Sequence, residues 1–246
     1  MSNQNDNVQT AKTAILNTIA NCISLVVGMI VIPIITRVLP AEQMGIANTF
    51  MSTRNTVVII ITCAVYAYLY KAMIEYKNNK KDYIFSVTVF SFIAVGISFV
   101  ICSVFKEPLM KLLSLNNFLF YWLFISCLGF ALYNIANYYC IFHNKYYFVI
   151  WIVLSVGPVS QFLSVGLSYV FSTNKYKGRV IGLDFVYLVV SICLLIWMTV
   201  GKRPHFRINY IKSTLKFTIP IVPHLLSQMV LTQCDLVMIS YFCGSK

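Results

Sequence analysis

Acidic residues are scarce in this chain: 7 of its 246 residues are Asp or Glu, against 19 Lys and Arg. Charged residues make up 11% of the sequence, whereas they form about a quarter of an average soluble domain. The loop acids Glu42, Glu75, Asp82 and Glu107 have no paired histidine and no catalytic spacing. A membrane glycosyl or acyl transferase needs acid and base groups near the interface. We therefore expect no enzymatic activity and no catalytic residue.

Cysteine motifs are missing as well, although the chain has 8 cysteines. None of them forms a C-x-x-C pair or a Cys/His cluster with the spacing of metal ligands. All except Cys243 lie inside apolar stretches, where cysteine acts as a small packing residue. We predict neither a disulfide nor a metal site, and no cofactor.

A basic domain with interleaved aromatic residues is also missing, despite a formal net charge of +12. Lys and Arg are scattered through the short segments between apolar stretches. Such a distribution is typical of multi-pass membrane proteins, in which basic loops set the topology. Nucleic acid is therefore not an expected partner.

What the chain has in abundance is long apolar sequence. Seven apolar stretches of at least 21 residues follow one another: 13–35, 46–70, 83–105, 118–142, 146–171, 180–200 and 217–242. A helix of that length crosses a hydrocarbon core of about 30 Å, and only helices and closed barrels satisfy the backbone in lipid. The stretches are too continuously apolar for barrel strands. The predicted fold class is an all-α integral membrane protein, a polytopic bundle of seven transmembrane helices.

The longest loop, 201–216, carries five basic residues and divides six helices from the seventh. We therefore expect a polar cytoplasmic tail over 1–12, a six-helix lobe over 13–200, a basic cytoplasmic loop over 201–216, and the first helix of a second lobe over 217–246. The tail and alternate loops hold eleven Lys and Arg, and the opposite side holds seven. This bias predicts a cytoplasmic N-terminus.

Three of the 26 charged residues lie inside the apolar stretches: Arg54, Asp184 and Asp235. Ionisable residues within a membrane are costly and often mark functional sites. Measured from the ends of their stretches, Arg54 and Asp235 lie about 10–12 Å deep on the same side, and Asp184 lies about 6 Å deep. We predict that Arg54 pairs with Asp235 and that Asp184 is an interfacial residue near Arg179. Snorkelling of Arg54 to the headgroups is the alternative.

Uncharged polar residues recur at helical spacing in several stretches, which puts them on single helix faces. In the fifth stretch, Gly157, Gln161, Ser164 and Ser168 are typical of helix packing in lipid. In the first, second and seventh stretches, Asn, Gln and His suit a wet cavity better, although packing stays an alternative there. The candidate cavity residues are Asn17, Asn21, Asn48, Asn55, His224 and Gln228.

Four prolines interrupt the apolar stretches: Pro33, Pro158, Pro220 and Pro223. Each removes a backbone donor and tends to kink its helix. The pair at the head of the seventh stretch is the strongest signal. Kinked helices are common where membrane proteins open a cavity, and packing alone also produces them.

Two segments resemble a known family. The run ANCISLVVGMIVIPIITRVLPAEQMGIANTF combines an apolar helix, a terminal Arg37, a Leu-Pro turn, an acidic residue and Gly45 before the second helix. The run LKFTIPIVPHLLSQMVLTQCDLVMISYF contains Pro220, Pro223 and Asp235. Both resemble the polysaccharide biosynthesis and O-antigen flippase family, within the multidrug/oligosaccharidyl-lipid/polysaccharide exporter superfamily.

The resemblance implies two lobes of helices around a central cationic cavity in the bacterial inner membrane. It implies movement of an undecaprenyl-pyrophosphate-linked oligosaccharide between leaflets by alternating access, for O-antigen or capsule synthesis. By the same resemblance, Arg54 contacts the lipid pyrophosphate. Asp235 carries a coupling proton or sodium ion, or restrains Arg54 between transport steps.

The resemblance leaves an alternative function and a question of completeness. A multidrug cation exporter of the same superfamily would favour intramembrane carboxylates in the first lobe, where only Asp184 occurs, and Arg54 would repel a cation. The sequence stops at Lys246, where relatives continue through a second lobe. We therefore expect a fragment, a truncated and inactive product, or a chain that needs a partner to supply the second lobe.

Overall fold

The computed structural model describes residues 2–113, 115–143, 146–171, 173–199 and 204–243. Within these ranges, only the backbone is described for 2–11, 13, 112, 146, 194, 197–199 and 233–243. All regular structure in the described residues is helical. The helices are α1 (Ser2–Val38), α2 (Ala41–Thr62), α3 (Leu69–Glu75), α4 (Lys80–Val104), α5 (Lys106–Leu112), α6 (Asn117–Phe142), α7 (Tyr146–Leu154), α8 (Ser160–Val170), α9 (Lys175–Thr199), α10 (Ile208–Thr218) and α11 (Val222–Cys243).

The chain is a helical membrane protein, as its sequence predicts. Four segments in the described part of the chain are long and apolar enough to span a membrane: Ala14–Val38, Lys80–Val104, Asn117–Phe142 and Tyr147–Val170. Counting α2 and its bent continuation as one span raises the number to five. The predicted number of seven spans is therefore not confirmed.

The second apolar stretch is a broken helix rather than the continuous one predicted. α2 ends at Thr62, a 3₁₀ turn follows at Val65–Tyr68, and α3 continues at an angle of 62°. Cys63 and Ala64 form the break, and both have a φ of 48°. L-residues adopt this left-handed conformation only at a steric cost, so two in succession end a helix abruptly.

Prolines mark two of the other irregularities. Pro158 lies in a π-helical segment, Ser155–Val159, that joins α7 to α8. Such segments occur where a helix accommodates a residue without a backbone donor. At residues 219–221 the chain turns between α10 and α11, and Pro220 lies in this turn. Pro33, in contrast, lies inside α1 without ending it.

The segment predicted as the loop 201–216 contains most of α10. Tyr210, Ile211 and Thr214 of this helix are buried, while Lys212 and Lys216 are exposed. The buried face packs against α4, where the hydroxyl groups of Tyr83 and Thr214 lie 3.0 Å apart. An amphipathic helix of three turns contains no long apolar run, so a search for membrane-length stretches misses it. At the other end of the chain, α1 begins at Ser2 and so includes residues 2–12 of the segment predicted as a polar tail.

α6 is the centre of the bundle. Its first half, with Leu119, Leu123 and Cys127, packs into a cluster with buried residues of α2. Its second half, with Ile135 and Cys140, belongs to a separate cluster that includes α3 and the start of α4. α1 packs against α7 and α8, α9 packs against α8 and α6, and α11 packs against α2.

α8 and α9 pack closely against each other. A methyl group added to Gly182 would overlap Ser164, and one added to Gly178 would overlap the backbone of Leu167. Ser160, Ser164 and Ser168 are buried on the facing side of α8. Small residues on both sides let the backbones approach, which is the packing role predicted for the serine stripe of the fifth stretch.

Candidate functional site

Arg54 lies on the buried face of α2. Ala47, Phe50 and Val58 on the same face are fully buried, and Arg54 is 6% exposed. The spacing of three to four residues puts all four side chains toward α6 and α9, away from the partly buried Asn48. An arginine in this position cannot snorkel to the membrane surface. The predicted interior position of its side chain is therefore the one observed.

The carboxylate that pairs with Arg54 is Asp184, in α9. The Nη1 atom of Arg54 forms a salt bridge with Oδ1 of Asp184, and the Asp184 side chain is 1% exposed. The sequence predicts Asp184 at the membrane interface near Arg179 and Asp235 as the partner of Arg54, whereas the structure has Asp184 buried within the bundle against Arg54. α9 begins at Lys175, five residues before the apolar stretch. At 1.5 Å per residue, Asp184 lies about 14 Å along α9 and Arg54 about 20 Å along α2.

Neighbouring side chains hold the ion pair from three sides. The indole Nε1 of Trp122, in α6, donates a hydrogen bond of 3.0 Å to Oδ2 of Asp184. The Nε and Nη2 atoms of Arg54 both donate to Oδ1 of Asn55, at 3.3 and 3.0 Å. The Arg54 guanidinium also lies 5.0 Å from the ring centroid of Phe130 and 5.6 Å from that of Tyr187. Aromatic faces stabilise a desolvated cation, so the pocket suits arginine better than a hydrated lysine.

The ion pair is costly to bury. Burial is tolerated because the two opposite charges compensate each other. Two ions leave water, and their mutual attraction offsets that loss only when the geometry and the remaining hydrogen bonds are good. Removing one partner leaves an uncompensated charge and costs about 3–5 kcal/mol. The contributions of Arg54 and Asp184 to the free energy of unfolding therefore depend on each other.

Arg179 is held separately from this ion pair. Its Nη1 atom donates to Oε1 of Gln161 at 2.8 Å and to the hydroxyl group of Ser164 at 2.6 Å. Both acceptors are uncharged side chains of α8. Among the described residues, the salt bridges are the Arg54–Asp184 pair and an exposed contact of 3.9 Å between Arg207 and Asp82. Of these two pairs, Arg54–Asp184 is the buried one.

The structure brings the other predicted site residues together only in local pairs. Asn21 donates through Nδ2 to the backbone oxygen of Asn17 at 2.8 Å, and Asn21 is exposed. His224 and Gln228 lie 3.3 Å apart on an exposed face of α11. These two pairs lie on helices that pack against different neighbours, α1 on α7 and α8, and α11 on α2.

Asp235 belongs to α11, but its side chain lies outside the described side chains. The predicted pairing of Arg54 with Asp235 therefore has no structural support, and the described partner of Arg54 is Asp184. The site also contains three residues that the sequence does not predict: Trp122, Phe130 and Tyr187. Nothing in their spacing distinguishes them from other aromatic residues of apolar helices, because their role depends on contacts between α2, α6 and α9.

What the site offers chemically is a desolvated guanidinium held next to a carboxylate. Guanidinium groups bind carboxylates and phosphates in the same bidentate geometry. A group of three or more potential metal ligands does not occur among the described residues. The anion that Arg54 holds in the structure is the carboxylate of Asp184.

Comparison with known proteins gives the family of the chain. A family model described as "Polysaccharide biosynthesis protein" matches residues 10–246. No curated protein and no solved structure shows significant similarity to the chain. The matched region includes α2, α6 and α9, which form the Arg54 site, and the exposed pairs on α1 and α11. Since the match covers nearly the whole sequence, the chain belongs to the polysaccharide biosynthesis protein family.

Proposed function

We propose that the protein is a flippase that moves an undecaprenyl-pyrophosphate-linked oligosaccharide across the bacterial inner membrane for the synthesis of a cell-surface polysaccharide. The observation that carries this proposal is the buried Arg54 in a membrane protein of the polysaccharide biosynthesis family. A sugar chain built on the cytoplasmic side needs a lipid carrier to cross the membrane. The anionic group that joins the sugar to such a carrier is a phosphate ester.

Arg54 has the chemistry to bind this phosphate within the membrane. The planar donors of its guanidinium group match two phosphate oxygens. Burial strengthens the interaction, because an electrostatic contact gains energy as the local dielectric constant falls. Transport without covalent change of the substrate needs no catalytic acid or base, so we propose a transporter rather than an enzyme.

Exposed polar side chains on α1 and α11 favour a structure in which a second lobe packs against this one. Asn21 of α1 and the pair His224 and Gln228 of α11 are exposed to their surroundings. Polar side chains facing lipid are unfavourable, whereas they suit a water-filled cavity between two lobes. We therefore infer that further helices, from the same chain or from a partner, close a cavity over these faces. The N-terminus then lies in the cytoplasm, on the side with more basic residues.

The alternative function, export of cationic drugs, has less support than the flippase function. A cation exporter needs an available carboxylate within the membrane to attract its substrate. Asp184 is buried in the described part of the first lobe, and it is paired with Arg54. The neutralised pair does not attract a cation.

Deletion of the gene in its source bacterium tests the proposed function. We expect loss of a surface polysaccharide and accumulation of its lipid-linked repeat unit, measured by mass spectrometry of extracted lipids. The wild-type gene restores the polysaccharide, and an Arg54→Gln variant does not. Arg207→Gln is the matched control, since Arg207 is exposed and outside the site. Unchanged polysaccharide and unchanged lipid intermediates in the deletion strain would contradict the proposal.

A further inference from the structure

A cavity of about 250 Å³ lies between α2, α4, α5 and α6. Apart from the Ser98 hydroxyl and the Cys102 thiol, its lining is made of Val, Ile, Leu and Phe side chains. Ile60 of α2 and Ile101 of α4 line it and are more than half exposed, so the cavity opens at the surface of the described bundle. Pockets that hold a whole drug-sized molecule measure about 300–1,000 Å³. This one suits a segment of a single hydrocarbon chain.

The helix face beside this opening is apolar and exposed. Ile97, Val100 and Val104 of α4 are exposed, and α4 is one of the segments long and apolar enough to span a membrane. The exposed polar residues that favour contact with a second lobe lie elsewhere, on α1 and α11. In a spanning helix, an exposed face of this composition contacts lipid chains. The hydrocarbon that meets the opening is therefore that of the membrane.

A basic residue lies where the span ends. Lys106 begins α5, two residues after the end of α4. Its Nζ atom donates to the hydroxyl oxygen of Tyr121 at 3.2 Å and lies 4.9 Å from the centroid of the Tyr121 ring. Tyrosine is common at the membrane–water interface, and lysine side chains near the ends of spans extend to the headgroups. This ammonium group is therefore at the depth of lipid phosphates.

Lys106 and the cavity belong to the same side of α5. Leu109 and Leu113, which line the cavity, lie one and two turns after Lys106 on one helix face. Glu107, the acidic residue of this helix, points about 100° away from Lys106. Among the described residues, Lys106 takes part in neither of the two salt bridges. An apolar cavity with a cation at its edge complements a molecule that carries an anionic group on a hydrocarbon chain.

We propose that this cavity binds one acyl chain of an anionic membrane phospholipid, with the lipid phosphate held by Nζ of Lys106 and the hydroxyl group of Tyr121. The Tyr121 hydroxyl accepts from Lys106 and has its own proton to donate to a phosphate oxygen. One ammonium group balances the single negative charge of a phosphate diester. The pyrophosphate of a carrier lipid bears more charge than this, and its polyprenyl chain is bulkier. Such a site is independent of the proposed function.

The bound chain would pack against the last turns of α2. Val57 and Ile61 line the cavity and lie just before the break at Cys63 and Ala64. A ligand that binds the folded protein and not the unfolded one stabilises the fold, and the gain grows with its occupancy. We therefore expect the phospholipid to stabilise the region in which the second apolar stretch bends.

Native mass spectrometry of the purified protein in detergent measures the binding. Phosphatidylglycerol and phosphatidylcholine with the same acyl chains are titrated in turn, and the populations with and without a bound lipid give the dissociation constants. The first phosphatidylglycerol should bind about fivefold more tightly, the equivalent of one basic residue near an anionic lipid. Lys106→Gln should remove this difference, Tyr121→Phe should reduce it, and Lys106→Arg should keep it. Lys212→Gln is the matched control, since Lys212 is an exposed lysine of α10.

A photoreactive lipid locates the acyl chain. Phosphatidylglycerol with a diazirine in one chain is cross-linked to the protein in nanodiscs, and peptide mapping identifies the modified segments. We expect cross-links at the end of α4 and on α5, around Ile101 and Leu109. Ser98→Leu adds an apolar side chain to the cavity wall, so it should remove most of these cross-links. Ser103→Leu is the control, because Ser103 is an exposed residue of α4 that does not line the cavity.

Other outcomes would show that the cavity does not bind an anionic phospholipid. Equal affinity of the wild type for both phospholipids, or a preference that Lys106→Gln leaves intact, would remove the phosphate site. Cross-links that persist in Ser98→Leu would place the chain elsewhere. Displacement of phosphatidylglycerol by an equal amount of undecaprenyl pyrophosphate would assign the cavity to the carrier lipid. If Ser98→Leu does not fold, the Lys106 variants and the cross-links mapped in the wild type still decide. Transport of the lipid-linked oligosaccharide is tested separately, so the proposed function stands or falls without these results.

Discussion

Trp122 and Asp184 lie on different helices, and the indole Nε1 of one donates to the carboxylate Oδ2 of the other at 3.0 Å. This bond satisfies the oxygen that Arg54 does not contact, so the buried carboxylate is bound on both sides. It also joins α6 to α9 at the depth of the α2–α9 ion pair. The three central helices therefore meet at this buried ion pair and its hydrogen bond from Trp122.

Removing either member of the ion pair should destabilise the protein strongly. Arg54→Met and Asp184→Leu each leave one buried charge without its partner, and each should cost about 3–5 kcal/mol. Thermal unfolding in nanodiscs measures this loss as a lower Tm. The double variant carries no charge in the site, so its Tm should recover to near the wild-type value. A double variant as unstable as the sum of the two singles would contradict the pairing.

The hydrogen bond from Trp122 to Asp184 should contribute less to the stability of the protein than the ion pair does. Trp122→Phe keeps the aromatic packing on Phe118, whose ring lies 5.9 Å away, and loses the donor to a charged acceptor. The expected cost is about 1.5–3 kcal/mol, the range for hydrogen bonds to charged groups. Trp151→Phe is the matched control, because Trp151 is 72% exposed and should change the Tm little. Equal effects of the two substitutions would argue against the bond.

The close approach of α8 and α9 should depend on Gly182. Gly182→Ala places a methyl group into Ser164, and the overpacking should cost about 1–3 kcal/mol. Gly166→Ala, in the middle of α8, is the control, since no atom lies within 4 Å of its added methyl group. That control should gain up to about 1 kcal/mol of helix propensity. A neutral Gly182→Ala substitution would mean that the two helices are farther apart than the structure has them.

The break after α2 should respond to backbone chemistry at Cys63. Its φ of 48° is one that glycine adopts freely and that a β-branched residue resists. Cys63→Gly should therefore keep the stability of the protein within about 1 kcal/mol, and Cys63→Val should lose about 1–2 kcal/mol more. Comparison of the two Tm values checks this order. The reverse order would show that the left-handed conformation is not required at the break.

Sequence alone predicts the helical membrane class and the family, because both depend on long apolar runs and short motifs. It also identifies Arg54 as an interior residue, since charge within an apolar stretch is visible without any structure. The partner of Arg54 is not predicted from the sequence, because the pairing depends on α2 packing against α9. Depth along an apolar stretch compares residues only along the membrane normal and does not show which helices are neighbours.

Two further differences between the predicted and the observed helices also arise from contacts that the local sequence does not show. Neither glycine nor proline occurs at the bend formed by Cys63 and Ala64, so the sequence predicts one continuous helix for the second stretch. α10 is short and amphipathic, and its stability depends on burial of Tyr210 and Ile211 against neighbours distant in sequence. Trp122 and Tyr187 belong to the site for the same reason, through packing between helices that local sequence does not encode.

The most direct test of the account is transbilayer movement of the lipid itself. Proteoliposomes that contain the purified protein would be loaded with a fluorescent undecaprenyl-pyrophosphate-linked oligosaccharide, and an added membrane-impermeant quencher would report how much of it changes leaflet. We predict protein-dependent movement that Arg54→Gln abolishes and that the exposed control Arg207→Gln leaves unchanged. Equal movement by the wild type and Arg54→Gln, or none above empty liposomes, would contradict the assignment of Arg54 as the phosphate-binding residue of a flippase.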